Sequence, residues 1–176
     1  MKPYFYVRQA TENGESLLSL CCGDGREFKG LKTTEVTAVD IFPDYLVRVS
    51  ELYPHVKVVE SDATDYIKKA PTNSVDIISL IDAIEHLTKK NGLTVLKESK
   101  RVARKQVLVF TPEGFIKNEP HDAWGIYGGD KYQKHISGWE IPELEALDYK
   151  LIAKQADVSQ HGDPYNALMF RCICSQ

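Results

Sequence analysis

Residues 17–28 read LLSLCCGDGREF, and how they are read decides the fold. An apolar run at Leu17, Leu18 and Leu20 gives way to Cys21-Cys22-Gly23-Asp24-Gly25, and chain able to begin a helix follows. This is the pattern of a buried strand feeding a glycine-bearing turn. In an open α/β sheet, ligands bind in the crevice beyond the carboxyl ends of the strands. Gly23 and Gly25 let the backbone approach a ligand closely, or take positive φ without a Cβ penalty. Gly-Asp-Gly alone is equally a plain tight turn, so the surrounding chain has to separate the two readings.

Outward from this stretch, strand and helix signals alternate. Glu35 to Asp40 reads as a second strand ending in an acid, and Pro43 suits the first turn of a helix carrying Leu46, Val49 and Tyr53 on one face. Val56 to Glu60 is a third strand, followed by Ser61-Asp62-Ala63 and a helix ending by Pro71. Ser74 to Ile81 is nearly all apolar toward its end, as a strand covered on both faces should be. Residues 88–103 form a helix with Leu93, Leu96, Val102 and Ala103 inward, weakened slightly by Gly92. Gln106 to Phe110 is a fifth strand. This repeat predicts an α/β fold, a mostly parallel sheet with helices on both faces. Residues 112–138 follow neither period and hold five glycines, as a lid or binding loop does. A helix over roughly 140–148 precedes two closing strands, Tyr149–Ala153 and Asn166–Cys174, expected to pair as an antiparallel C-terminal hairpin.

The 176 residues suit one domain over 1–176, and 43% hydrophobic with 27% charged residues is ordinary for a globular chain. A net charge of -3 gives no bulk attraction to nucleic acid or anionic membrane. Lys97, Lys100, Arg101, Arg104 and Lys105 are read as the solvated face of a helix rather than a binding patch. Cys21-Cys22 and the C-x-C of Cys172 and Cys174 lack C-x-x-C spacing and sit in apolar contexts, as free thiols of a reducing compartment do. With no apolar leader and no run of membrane-spanning length, a cytoplasmic location is expected.

The carboxyl-side ends of the first four strands bring together Cys22-Gly23-Asp24-Gly25, Asp40, Asp62-Ala63 and Asp82. An acid at the tip of the second strand can accept both ribose hydroxyl protons, although Asp40 could instead cap the helix after it. A dinucleotide fingerprint would need a third glycine where Phe28 stands, so a ligand with adenosine and no pyrophosphate fits better. With these motifs aligned, residues 15–174 resemble a class I S-adenosylmethionine-dependent methyltransferase, which implies a Rossmann-like, seven-stranded sheet. LLSLCCGDG resembles the methionine-binding turn, implying cofactor contacts from Ser19, Cys21, Cys22, Gly23, Asp24 and Gly25. VTAVD supplies the ribose acid Asp40, with Ile41 beside it. SDA resembles the adenine contact, Asp62 facing the exocyclic amine and Ala63 offering its N–H. SLIDAIEHL resembles the fourth motif, with Ile81 and Asp82 at the cofactor. HISGWEIPELEALDYKL resembles small bacterial and archaeal members in which H-x-S-x-W follows an aromatic, glycine-rich insert. Family members commonly carry an acid where Ser19 stands and a glycine where Cys21 stands. A serine hydroxyl and nearby carbonyls are then left for the methionine ammonium, and the turn has to accommodate the Cys21 side chain.

The resemblance implies methyl transfer by in-line displacement to a small-molecule acceptor at O, N or C, yielding S-adenosylhomocysteine. Asp82, His121 and His135 are the catalytic candidates, with His135 preferred of the two histidines because it opens the HISGW string. His86 reads as a packing histidine, and Trp139 as a core anchor under the lid. No metal is expected, since His86, His121, His135 and His161 are scattered along the chain without ligand spacing. Two other readings stay open: a cofactor-binding scaffold without turnover, for which Ser19 and Cys21 speak, and an NAD-dependent reductase, against which the missing third glycine speaks. Tyr4, Phe5 and Tyr6 either fold over the site or pack on a second copy in a homodimer.

Overall fold

The computed structural model describes residues 2–118, 129–159, 162 and 164–174. In chain order it runs α1 (Pro3–Ala10), β1 (Leu17–Leu20), β2 (Val36–Asp40), α2 (Pro43–Leu52), β3 (Lys57–Glu60), α3 (Ala63–Lys69), β4 (Val75–Ile81) and α4 (Lys89–Val102). Then follow β5 (Ala103–Pro112), α5 (Ile141–Glu145), β6 (Lys150–Val158) and β7 (Pro164–Ile173). Short 3₁₀ turns lie at Arg26–Phe28, Ile84–His86 and Gly129–Tyr132.

The seven strands form one sheet in the order β3-β2-β1-β4-β5-β7-β6. Pairings among the first five are parallel, while β7 runs antiparallel to both β5 and β6. The expected hairpin is therefore present and longer than its apolar pattern suggested, because cross-strand pairing continues through exposed polar residues out to Val158 and Pro164. Helices cover both faces. Val7 of α1 with Leu46 and Val49 of α2 packs on Leu17, Ala38, Ile77 and Met169. Ile67 of α3, Val95 and Leu96 of α4 and Leu144 of α5 pack on Leu18, Val39, Ile78 and Val109. With buried aliphatic side chains stabilising by roughly 1.5–3 kcal/mol each, these two layers hold the strand tips in register.

Two local differences bear on the site. The chain after Phe28 does not continue as a helix; only the 3₁₀ turn forms, and Glu27 and Phe28 are buried there. The amino-terminal residues, which read as polar and aromatic, instead form α1, with Pro3 at its start and Val7 fully buried. Of the basic cluster, Lys100 pairs with Asp148, Arg101 with Glu98, Arg104 with Asp76 and Lys105 with Glu15. All four cysteines are free. Among the described residues no helix is long and apolar enough to cross a membrane.

Candidate functional site

The carboxyl ends of β1 to β4 open into a cavity of about 310 Å³, bounded by Cys21, Gly23, Asp40, Ile41, Asp62 and Ala63 on the sheet side. Asp82, His86 and Leu87 close its far end, and Tyr132, Gln133, Lys134 and Ile136 form the opposite wall. A smaller recess of about 50 Å³ shares Cys21, Asp82 and Gln133 with it and extends to Tyr4, Cys22, Asp24, Glu27 and Ile81. A larger, more open groove of about 810 Å³ lies at the other end of the strands, beside Leu17, Val36, Lys57 and Val75. The convergent acids are at the strand tips, so the smaller and more enclosed cavity is the chemical one.

The glycine turn is tied to β2 by a buried carboxylate. Asp40 Oδ2 accepts from the Gly23 N–H and Oδ1 from the Phe42 N–H, both at 2.9 Å. Burial pushes its carboxyl above the usual range even against these two donors. Gly25 has φ 76, and a Cβ there would meet Phe28 and Val49 within 3 Å, so only glycine fits. Cys21 also takes positive φ, at 57, so the left-handed conformation that favours glycine is imposed on a cysteine, at about 1–2 kcal/mol. Asp62 caps α3, Oδ1 accepting from the Thr64 and Asp65 N–H groups. Ile41 stands 44% exposed at the cavity wall. Ser19 and Gly25 line neither space.

Where the β1 acid is lacking, a different residue brings one. Glu27 is 4% exposed and accepts a hydrogen bond from the Ser19 hydroxyl, while its Oε2 has no partner among the described residues. Desolvation raises its pKa. The sequence contained the signal only indirectly, as an acid between Arg26 and Phe28, two residues past the glycines.

At the tip of β4 the backbone turns sharply, with Asp82 at φ 48. Its carboxyl is open to a small molecule entering the cleft, yet is ringed by protein atoms. That surrounding, with repulsion from Asp157, pushes it up to about 7. The opposite wall is assembled by HISGW. In extended chain, side chains two apart share a face, and His135, Ser137 and Trp139 all turn toward residues 84–86. The Ile136 and Ser137 N–H groups donate to the Glu85 carbonyl at 2.9 and 3.1 Å, and the Ser137 Oγ and Trp139 Nε1 donate to the Ile84 carbonyl at 3.1 Å. Trp139 is fully buried, as a core anchor should be, and its ring lies against Gly92, where a Cβ would meet Cζ2 at 2.4 Å. The glycine that weakens α4 is thus the space the tryptophan fills.

Two of the histidines that are scattered along the chain are brought together by this clamp. His86 and His135 stand with ring centroids 4.9 Å apart, next to Glu85. His86 is therefore part of the cleft and not only a packing residue. His121 and His161, with Trp124 and Tyr127, lie outside the described residues. Tyr4 reaches the small recess, whereas Phe5 is 54% exposed.

The family model described as a methyltransferase domain matches residues 18–111, over half of the chain. No curated protein matches its sequence. Among solved structures, the chain is similar to the YcgJ protein of Bacillus subtilis, with 14% identity, TM-score 0.72 and coverage of 99% of this chain and 98% of that one. It is similar to the 1,6-didemethyltoxoflavin-N1-methyltransferase of Burkholderia thailandensis, solved with 1,6-didemethyltoxoflavin and S-adenosylhomocysteine, at 16% identity and TM-score 0.68 over 97% of this chain and 77% of that one. It is similar to the N-methyltransferase NodS of Bradyrhizobium japonicum, solved with S-adenosylhomocysteine, at 12% identity and TM-score 0.69 over 99% and 86%. At these identities the likeness speaks for the fold, which is the Rossmann-like one expected. With the family match over β1 to β5 and the strand-tip cleft, the chain belongs to the methyltransferase-domain family and is a class I S-adenosylmethionine-dependent methyltransferase.

Proposed function

We propose that this chain methylates a small-molecule acceptor at an O, N or C nucleophile, with the cofactor lying along the tips of β1, β2 and β3. One observation carries the reading: the glycine turn, Asp40 and Asp62-Ala63 line the same cavity in a row, and Asp82 and His86 close its end. The Asp40 oxygens each keep a lone pair for a ribose hydroxyl beyond the backbone donors they already hold. Exposed Ile41 gives the adenine an apolar face. Asp62 Oδ2 and the Ala63 N–H, which has no acceptor within the first turn of α3, suit the adenine edge. Glu27, through the recess beside Cys21, supplies negative charge for the methionine ammonium in place of the acid absent at Ser19. Cys22, Asp24 and Ile81 shape that recess.

The sulfonium makes transfer intrinsically favourable, so the residues mainly align donor and nucleophile and exclude water. The acceptor's lone pair attacks the methyl carbon, the carbon–sulfur bond breaks onto sulfur, and the acceptor's proton has to leave. Asp82, poised near neutrality, faces the place where that happens and suits a general base; His135 stands behind it, against the His86 ring. A small acceptor is favoured by the enclosed shape of the cleft and by the ion pairs that hold Lys100 and Arg101 of α4 and Arg104 and Lys105 of β5. We take residues 1–176 as one domain, the segment from Gly129 onward completing the acceptor wall.

Calorimetric titration with S-adenosylhomocysteine tests this. Binding is expected in the parent, with Asp40→Ala weakening it by about 10–100-fold, because a charge-assisted hydrogen bond contributes about 1.5–3 kcal/mol. No binding at millimolar ligand overturns the proposal. Binding without turnover on hydroxyl, amine and carboxylate acceptors would assign a non-catalytic scaffold instead.

A further inference from the structure

Glu85, His86 and His135 come from two segments almost fifty residues apart, yet one ligand atom from each lies within 4.8 Å of the others. Ligand bonds of about 2.0–2.2 Å to a first-row divalent ion set neighbouring ligand atoms about 3.4 Å apart, so the three side chains would draw together by about an ångström on binding. Both rings are fixed in one tautomer. His86 Nδ1 is 3.2 Å from the Lys134 carbonyl oxygen, and His135 Nδ1 is 2.6 Å from that of Ile116. A carbonyl only accepts, so each Nδ1 carries the hydrogen and each Nε2 keeps its lone pair. Such a bond from the far ring nitrogen is how metal-binding histidines are oriented. Asn118 Oδ1 accepts from the His135 N–H at 2.8 Å and fixes the backbone as well.

Glu85 is 2% exposed; its Oε2 accepts from the Thr111 hydroxyl at 3.1 Å and its Oε1 has no partner. Among the described residues, no lysine or arginine pairs with Glu85 or Asp82. A buried carboxylate oxygen without a donor is costly.

We propose that Glu85, His86 and His135 form a three-ligand site for a divalent transition cation at the acceptor end of the cleft. Two imidazoles with one carboxylate select first-row transition ions over magnesium or calcium. Of the three, His86 lines the cleft cavity together with Asp82, so an acceptor oxygen would approach the ion from that side. Its part in methyl transfer rests on the proposed function, which it narrows to a hydroxyl-bearing acceptor. The coordinated hydroxyl is acidified, its proton passes through Asp82 to solvent, and the oxygen lone pair forms the new bond to the methyl carbon. The carbon–sulfur pair returns to sulfur, leaving neutral S-adenosylhomocysteine. In this arrangement His135 is a ligand and not the base.

Chelator-treated protein titrated with Co²⁺, followed by visible absorption, tests the site. One Co²⁺ per chain is expected, with Glu85→Gln and His135→Asn each weakening it at least about 10-fold. Both variants should keep the parent's S-adenosylhomocysteine affinity and circular dichroism. Glu85→Gln preserves shape and the Thr111 contact, so it decides the matter if His135→Asn misfolds. Absence of a Co²⁺ spectrum at millimolar metal, or an unchanged affinity in Glu85→Gln, overturns the site. Failure of S-adenosylhomocysteine to bind a parent that holds Co²⁺ overturns the cofactor reading alone.

Discussion

The two ends of the cleft hold the same kind of side chain in opposite states. On the β1–β3 side, Asp40 accepts from two backbone N–H groups and Asp62 from two more. These carboxylates are satisfied before any ligand arrives, and they shape the pocket. On the β4 side, Asp82 is pushed up to about 7 and Glu85 well above the ordinary range, with one buried oxygen left without a donor. Polar groups left unsatisfied in this way cost the folded state free energy. The Asp40 and Asp62 carboxylates are finished by the chain itself; the β4 end, like Glu27 Oε2 in the recess beside Cys21, keeps a buried oxygen without a donor among the described residues.

The contrast can be broken most severely by removing its anchor. Trp139→Ala should cost about 3–5 kcal/mol in chemical denaturation, since it empties a fully buried site and removes one of the two donors, Trp139 Nε1 and Ser137 Oγ, that hold the Ile84 carbonyl. A loss under 1 kcal/mol would mean that HISGW does not hold that wall. A satisfied carboxylate elsewhere provides a reference. Asp76 accepts from the Arg104 side chain and from Ser16, and is held down at about 2 against a usual 3.8. Its folded pKa is depressed, so its stabilisation is present above about 3.8 and is lost as pH falls toward 2. Asp76→Asn should therefore cost about 1–2 kcal/mol at pH 7, discounted for water around Arg104, with the difference from the parent closing near pH 2.

Asp82→Asn should act in the opposite direction. Neutralising a carboxylate with no partner should raise stability at pH 8 by about 1 kcal/mol, after discounting for the open cleft, while methyl transfer is lost. A lower melting temperature would place Asp82 among the satisfied acids and erase the contrast. The smallest effect is expected at Cys21→Gly. Relief of the left-handed strain is partly offset by glycine's larger entropy loss, leaving a gain of about 0.5 kcal/mol and an unchanged S-adenosylhomocysteine affinity.

The finished end of the cleft was legible in the sequence because it is built locally. A strand, a glycine turn and an acid at the next strand's tip follow one another within residues 17–40, and each has a short-range signature. The same holds for Asp62, which sits two residues after its strand. Glu27 was missed because its value lies in reaching back to Ser19, a contact that depends on the 3₁₀ turn that formed where a helix was expected. The meeting of His86 with His135 was missed for a stronger reason. It depends on backbone donors at 136 and 137 finding the Glu85 carbonyl, and sequence spacing carries no record of that pairing. The meaning of Gly92 was likewise hidden, since its role is set by a tryptophan 47 positions on.

The placement of the last strand has a kinetic consequence. β7 lies between β5 and β6, and β6 touches the sheet only through it. As the chain emerges, β5 has its β4 neighbour early, but its other edge pairs with residues 167–173, some sixty positions later. Until then that edge, with Val107, Val109 and Phe110 along it, is an unpaired apolar strand open to other chains. Closure of such distant pairs is slow relative to local steps. The window in which this protein is exposed to aggregation therefore ends with the arrival of its final strand, well after the cofactor half of the cleft has all its residues.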